Sequence, residues 1–154
     1  MGHFYITKHP SRTLPSKYHH LRSRPLHSAR DGFVIGECSG VRVLEDLEHA
    51  QELGVSFYAE ISGYEMSGDA DHITQPHTDG WGAIFAMTTV LQQSALHPNK
   101  LDFVNAQAIS FTLRVVVESN AIIGAITGHA SSGALALFST KGATSHRFGA
   151  AGGS

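Results

Sequence analysis

Lys141 and His146 lie five residues apart in Ser139-Thr-Lys-Gly-Ala-Thr-Ser-His-Arg-Phe-Gly-Ala-Ala-Gly152, a small, glycine-punctuated segment. It follows an apolar run, Ala134-Leu-Ala-Leu-Phe138, of the kind that forms a buried strand. A strand end that delivers an ammonium and an imidazole places charge at a pocket. Lys141 can hold an anion or polarise a carboxylate, and His146 can donate a hydrogen bond to developing negative charge. Spacing alone leaves open a solvated lysine and a loop histidine. The single cysteine, Cys38, excludes an intramolecular disulfide and a cysteine-rich metal site. The eleven histidines are scattered, with no H-E-x-x-H and no paired Cys/His spacing, so no metal or other cofactor is expected.

At 154 residues the chain is one domain's worth. Its hydrophobic content of 42%, charged content of 16% and 16 glycines suit a loop-rich α/β protein. A net charge of -2 gives no argument for nucleic acid, and no apolar run reaches transmembrane length. Residues 1–30 hold six Lys/Arg and no acid, the composition of an organelle transit peptide.

Along the chain, Gly40-Val-Arg-Val-Leu44 reads as a buried strand. Glu45 to Leu53 reads as a short helix with Leu47 and Ala50 on one face and Gly54 at its end. Ser56 to Ser62 alternates, with Phe57, Ala59 and Ile61 facing a core. Glu65 to His77 is a polar loop. Asp79 caps a helix running to about Leu96, with Ile84, Met87, Leu91 and Ala95 as its stripe. Leu101 to Asn105 reads as a strand. Val115 to Ile126 fits a helix through Val115, Ser119, Ile122 and Ile126, although its triple valine favours a strand. Alternating strands and helices argue an α/β fold with a mixed or parallel sheet.

Several of these segments carry a resemblance. Ser139 to Gly152 resembles the lysine-histidine motif of the β-ketoacyl-ACP synthases, the elongating condensing enzymes of fatty-acid synthesis. Ser23-Arg-Pro25 with Arg30-Asp-Gly-Phe-Val-Ile-Gly-Glu37 is similar to the family's S-R-P-F-x-x-x-R-D-G-F-V-x-G-E-G. Val43-Leu-Glu45 with Glu48-His-Ala50 resembles V-L-E-x-x-E-H-A. Tyr58 to Thr74 resembles Y-A-E-x-x-G-Y-x-x-S-x-D-A-x-H-I-T. The likeness runs from about Ser11 to Ser154 and is nearest the mitochondrial or plant-type branch. Residues 1–22 then form a basic N-terminal segment, partly family-like, and 23–154 a partial synthase domain.

The resemblance implies a partial thiolase-like fold, five-layered αβαβα in the family, with the N-terminal half missing. It implies Claisen condensation of an acyl-enzyme with malonyl-ACP, an acyl-carrier protein as partner, and a homo- or hetero-dimer. The location implied is a mitochondrion or plastid, with cytoplasm the alternative. Family members use a cysteine nucleophile, two histidines and a lysine. The nucleophile lies far upstream of S-R-P-F, and this chain has 22 residues before Ser23. Cys38 is on a different element and reads as a small buried residue.

The first family histidine sits in N-A-H-x-T-S-T-x-x-x-D, which here is Asn105-Ala-Gln-Ala-Ile-Ser-Phe-Thr-Leu-Arg-Val115. Gln107 stands at the histidine, Ile109 and Phe111 at both threonines, and Val115 at the acid. An amide still donates a hydrogen bond but neither becomes cationic nor transfers a proton. Lys141 and His146 are retained, and Ser145 replaces the glycine before the histidine. The set Lys141, His146 and degenerate Gln107 is insufficient for condensation, so the chain is expected to be inactive alone. The alternative is a non-catalytic partner docking on an intact synthase or on acyl-carrier protein. Unpaired strand edges and exposed apolar faces are expected to weaken folding.

Overall fold

The computed structural model describes residues 23–30, 32–72, 75–109, 112–147 and 149–150. Their elements run α1 (Leu47–Glu52), α2 (Trp81–Gln93), a 3₁₀ turn (Pro98–Lys100), β1 (Phe103–Asn105), α3 (Thr112–Ala125), β2 (Ala136–Phe138) and α4 (Lys141–Thr144). The basic segment 1–22 and most of the glycine-rich end, 151–154, lie outside the described residues.

β1 and β2 pair in parallel, Phe103 with Ala136, Val104 with Leu137 and Asn105 with Phe138. The crossover between them is α3, so the unit is βαβ and the α/β expectation holds. Ala136 N–H donates to the Asp102 carbonyl at 2.9 Å and Ala106 N–H to the Phe138 carbonyl at 2.8 Å, which extends the ladder at both ends. The triple valine of α3 stays helical because Val115 and Val117 are buried, with Ala121, Ile122 and Ile126 continuing the buried face. Tertiary burial here overrides a weak β preference. Ala106, Ala108 and Val115 pack together beneath β1.

α2 packs on α3. Their meeting point requires Gly80: its φ of 64° favours glycine, and a Cβ there would meet Ala121 and Val117 at 3.2 Å. Asp79 caps α2 from one residue before Gly80, its carboxylate accepting from Trp81 N–H at 3.0 Å. The helix stops at Gln93, short of the expected Leu96, because Ala95 turns to a φ of 50°. α1 begins at Asp46, whose side chain accepts from Glu48 and His49 N–H, and closes with Gly54 at a φ of 65°. Gly54 N–H to Gln51 and Val55 N–H to Ala50 complete the glycine-terminated end.

Four expectations are corrected. The strand expected to be buried within 134–138 forms as β2, but all three of its residues are exposed. Residues 40–44 and 56–62 form no strand, and their apolar side chains are exposed, Val41 at 93% and Val43 at 88%. A strand needs a partner edge, and no described segment supplies one to either stretch. Cys38 is exposed, not buried, since it sits in this same unpaired stretch. Lys141–Thr144 is a helical turn rather than open loop. No helix among the described residues is long and apolar enough to cross a membrane.

Next to α2, His77 Nδ1 lies 2.6 Å from Asp79 Oδ1. The hydrogen bond to Asp79 chiefly raises the imidazole above its ordinary 6.5. Asp79 is lowered from 3.8, first by the Trp81 N–H it accepts. A raised histidine stabilises fully below its unfolded value and loses that contribution as pH rises through the folded one. A lowered carboxylate loses its contribution as pH falls through its folded value. Stability from this pair is therefore expected to be greatest between the two titrations. His77→Gln is expected to flatten the alkaline side of a pH series of urea midpoints taken across 6.5. An unchanged series would remove His77 from the cap.

Candidate functional site

In parallel sheets ligands gather at the carboxyl ends of the strands. β1 ends at Asn105 and β2 at Phe138, and the residues that follow carry all three candidate groups: Gln107 after β1, Lys141 and His146 after β2. The two strand ends are tied, because Thr140 N–H donates to Asn105 Oδ1 at 3.2 Å. A hydrogen bond from the Ser23 hydroxyl to the Lys141 carbonyl holds the turn of α4.

Lys141 is 5% exposed and His146 6% exposed. Burial is the main force pushing the Lys141 ammonium below 10.5, opposed by the Glu118 charge. Burial likewise lowers His146 below 6.5, and the cations Lys141 and Arg114 lower it further. At neutral pH the imidazole is uncharged, a hydrogen-bond donor through one ring nitrogen and an acceptor through the other. Its ring meets the Phe33 ring edge to face at 5.4 Å. Its backbone is pinned: His146 N–H donates to the Val34 carbonyl at 2.7 Å, and Gly36 N–H to the His146 carbonyl at 3.0 Å.

Gln107 does not join them as a buried group; its residue is exposed. Its backbone is fixed instead. Gln107 N–H donates to Glu118 Oε1 at 2.6 Å and Ala108 N–H to Oε2 at 2.8 Å. Ala108, at a φ of 30°, is held in its turn by that carboxylate. Glu118 thus grips the β1 loop from α3 while lowering the cost of a buried ammonium at Lys141. The residue reading above missed it. The signal was present, because Glu118 is the sole acid after Asp102 in the sequence and shares that stretch with Lys141.

Arg114 was also missed. It lines a cavity of about 480 Å³ with Asp69, Ala70, Asp71, His72, Gln75 and Pro76. A second cavity of about 580 Å³ is lined by Gly36 to Gly40, Arg147, Gly149 and Ala150, and Cys38 opens onto it. Neither Lys141 nor His146 lines that cavity. Among the described residues no group of three or more His, Cys, Asp or Glu could hold a metal ion.

Residues 58–154 match the model of the β-ketoacyl synthase C-terminal domain. The chain belongs to the β-ketoacyl synthase family. It is 55% identical over 145 residues to the mitochondrial 3-oxoacyl-[acyl-carrier-protein] synthase of Arabidopsis thaliana, covering 92% of this chain and 32% of that protein. It is 44% identical over 131 residues to 3-oxoacyl-[acyl-carrier-protein] synthase 2 of Synechocystis, covering 85% and 31%. The chain thus spans about a third of the length of these curated relatives. Among solved structures it is similar to a type II PKS acyl-carrier protein in complex with its ketosynthase bound to the hexaketide. The TM-score is 0.80 at 31% identity, covering 88% of this chain and 32% of that one. The ishigamide ketosynthase/chain length factor follows at 0.75 and 29%, covering 84% and 30%. The fold is accordingly a partial thiolase-like α/β fold.

Glu118→Gln is expected to weaken two charge-assisted hydrogen bonds to Gln107 and Ala108, costing about 1–3 kcal/mol of stability. It is also expected to move the Lys141 titration further down, since the opposing charge is gone. Urea unfolding and a pH titration of the lysine resonance test this. Unchanged stability would mean that Glu118 does not hold the loop.

Proposed function

We propose that residues 23–154 form a carbonyl-holding half-site of the 3-oxoacyl-ACP synthase type, acting in mitochondrial fatty-acid synthesis without a nucleophile of its own. The observation that carries this reading is the burial of both Lys141 and His146 at the carboxyl ends of two parallel strands. Family membership and the mitochondrial 3-oxoacyl-[acyl-carrier-protein] synthases among the relatives support the substrate class and the mitochondrion.

A neutral His146 donates one hydrogen bond to a thioester carbonyl, and Lys141 stabilises the carboxylate or the charge that develops beside it. Gln107, exposed and with its backbone fixed, offers an amide donor but no proton. Condensation also needs a thiolate to carry the acyl chain. Cys38 opens onto a cavity that neither Lys141 nor His146 lines, so on this reading the chain by itself binds and polarises a malonyl thioester without extending it.

A second reading is favoured by the exposed apolar residues of the 41–64 stretch, Val41, Val43, Phe57 and Ile61 among them. They suit docking onto an intact synthase, with the half-site presented to an acyl-carrier protein.

The test is an elongation assay with acyl-ACP and malonyl-ACP, run beside a binding titration with malonyl-ACP. The expected result is binding with no β-ketoacyl product, and binding weakened by roughly tenfold or more in Lys141→Ala and His146→Gln. A β-ketoacyl product from the chain alone overturns the inactivity. Wild-type binding by both variants overturns the half-site. Binding that requires an added intact synthase selects the docking reading.

A further inference from the structure

Ser145 occupies a backbone conformation that is nearly reserved to glycine, with φ 61° and ψ -178°. Glycine is the residue that the resembling motif carries there. A strained residue persists where its surroundings over-determine it. Here they do so from one side. The two hydrogen bonds to Val34 and Gly36 fix the peptides on both sides of His146, and Ile35 and His146 form a parallel bridge. The approach is so close that a Cβ on Gly36 would fall 2.8 Å from the Thr144 carbonyl and 3.0 Å from Ser145 Cβ. The Ser145 side chain therefore fills the space opposite Gly36, and the imidazole leaves the chain toward Phe33.

We propose that the Val34–Gly36 backbone is a positioning lock for His146: paired on both sides of the histidine, it holds the strained Ser145 turn shut and sets where the imidazole points. Gly36 acts through His146, and Ser145 carries the strain that the lock holds. The relevance of the lock to a thioester carbonyl rests on the half-site reading, whereas the lock itself is measurable without substrate.

The charged groups facing His146 are Lys141 on α4 and Arg114 on α3, with Glu118 on α3 facing Lys141. Both cations and the burial hold the imidazole down. A ring released from the lock therefore titrates nearer its ordinary 6.5.

The experiment is a histidine titration by NMR on the full chain, with the His146 resonance assigned by its loss in His146→Asn. Gly36→Ala is expected to move the His146 midpoint upward. Gly40→Ala, where a Cβ meets nothing within 4 Å, is expected to leave it in place. Adding Ser145→Gly to Gly36→Ala removes the Cβ at 3.0 Å but leaves the Thr144 carbonyl at 2.8 Å, so the midpoint is expected to stay displaced, and a full return to the wild-type value overturns the backbone lock. An unmoved His146 midpoint in a folded Gly36→Ala chain overturns the lock. If Gly36→Ala does not fold, Ser145→Gly alone decides. The expected result is a thermal midpoint about 2–4 °C higher with an unchanged His146 titration. A midpoint that stays or falls overturns the strain on which the lock depends.

Discussion

The parallel pairing of Phe103–Asn105 with Ala136–Phe138 is the constraint on which the site depends. Two parallel strands must be joined by a crossover, and the crossover here is α3. Burial of Val115, Val117, Ala121, Ile122 and Ile126 seats that helix, and seating it brings Glu118 to the loop after β1. The same pairing puts Gln107 and Lys141 at one end of the sheet, although they lie 34 positions apart in the chain. No local signal in either segment does this. The ladder does, and Thr140 N–H on Asn105 Oδ1 extends it past the last paired residues.

Electrostatics at this end bring three basic side chains together. Lys141, Arg114 and the titratable His146 converge, and Glu118 offsets the Lys141 charge. Glu118 spends both carboxylate oxygens on backbone N–H groups, so it offsets the Lys141 charge at a distance rather than as a close ion pair. The consequence is an ammonium and an imidazole both biased toward their neutral forms. For His146 that bias means a donor without a charge at neutral pH, suited to hold a carbonyl and poorly suited to deliver a proton.

What the sequence revealed divides along the reach of the interactions. The helices were legible, because their hydrogen bonds close within four residues and their caps are written locally: Asp46 and Gly54 for α1, Asp79 for α2. The α3 assignment survived its three valines because the apolar spacing from Val115 to Ile126 is helical. The strands after β-type sequence were only half legible. Phe103–Asn105 and Ala136–Phe138 find each other, whereas 40–44 and 56–62, equally strand-like in pattern, find no edge among the described residues. Periodicity reports a preference for a pleated, half-buried surface, and a strand forms only where a partner edge realises it. The exposure of Cys38 follows from the same absence. Of the site, Lys141 and His146 were legible through a motif; the grip of Glu118 and the strain at Ser145 are properties of three-dimensional approach that no spacing announces.

The departures from the resembling motif are of two physical kinds. Some keep shape and drop chemistry. Val115, at a position where the motif has an acid, is buried against Ala106 and Ala108, and Ile109 is buried where the motif has a hydroxyl. Such swaps remove polar groups that would otherwise need partners in a closing core, and they cost the backbone nothing. Ser145 is the opposite kind. It adds a side chain at a backbone angle that excludes one, next to the imidazole that the chain retains. A substitution that only relaxed an idle site would be expected to lower local strain, as a glycine would. The two backbone hydrogen bonds that flank His146 keep it in one direction and hold the serine before it at an energetic cost. Strain kept beside a retained group, while strain-free apolar residues replace the groups around it, marks His146 as the part of the site whose geometry the fold still constrains.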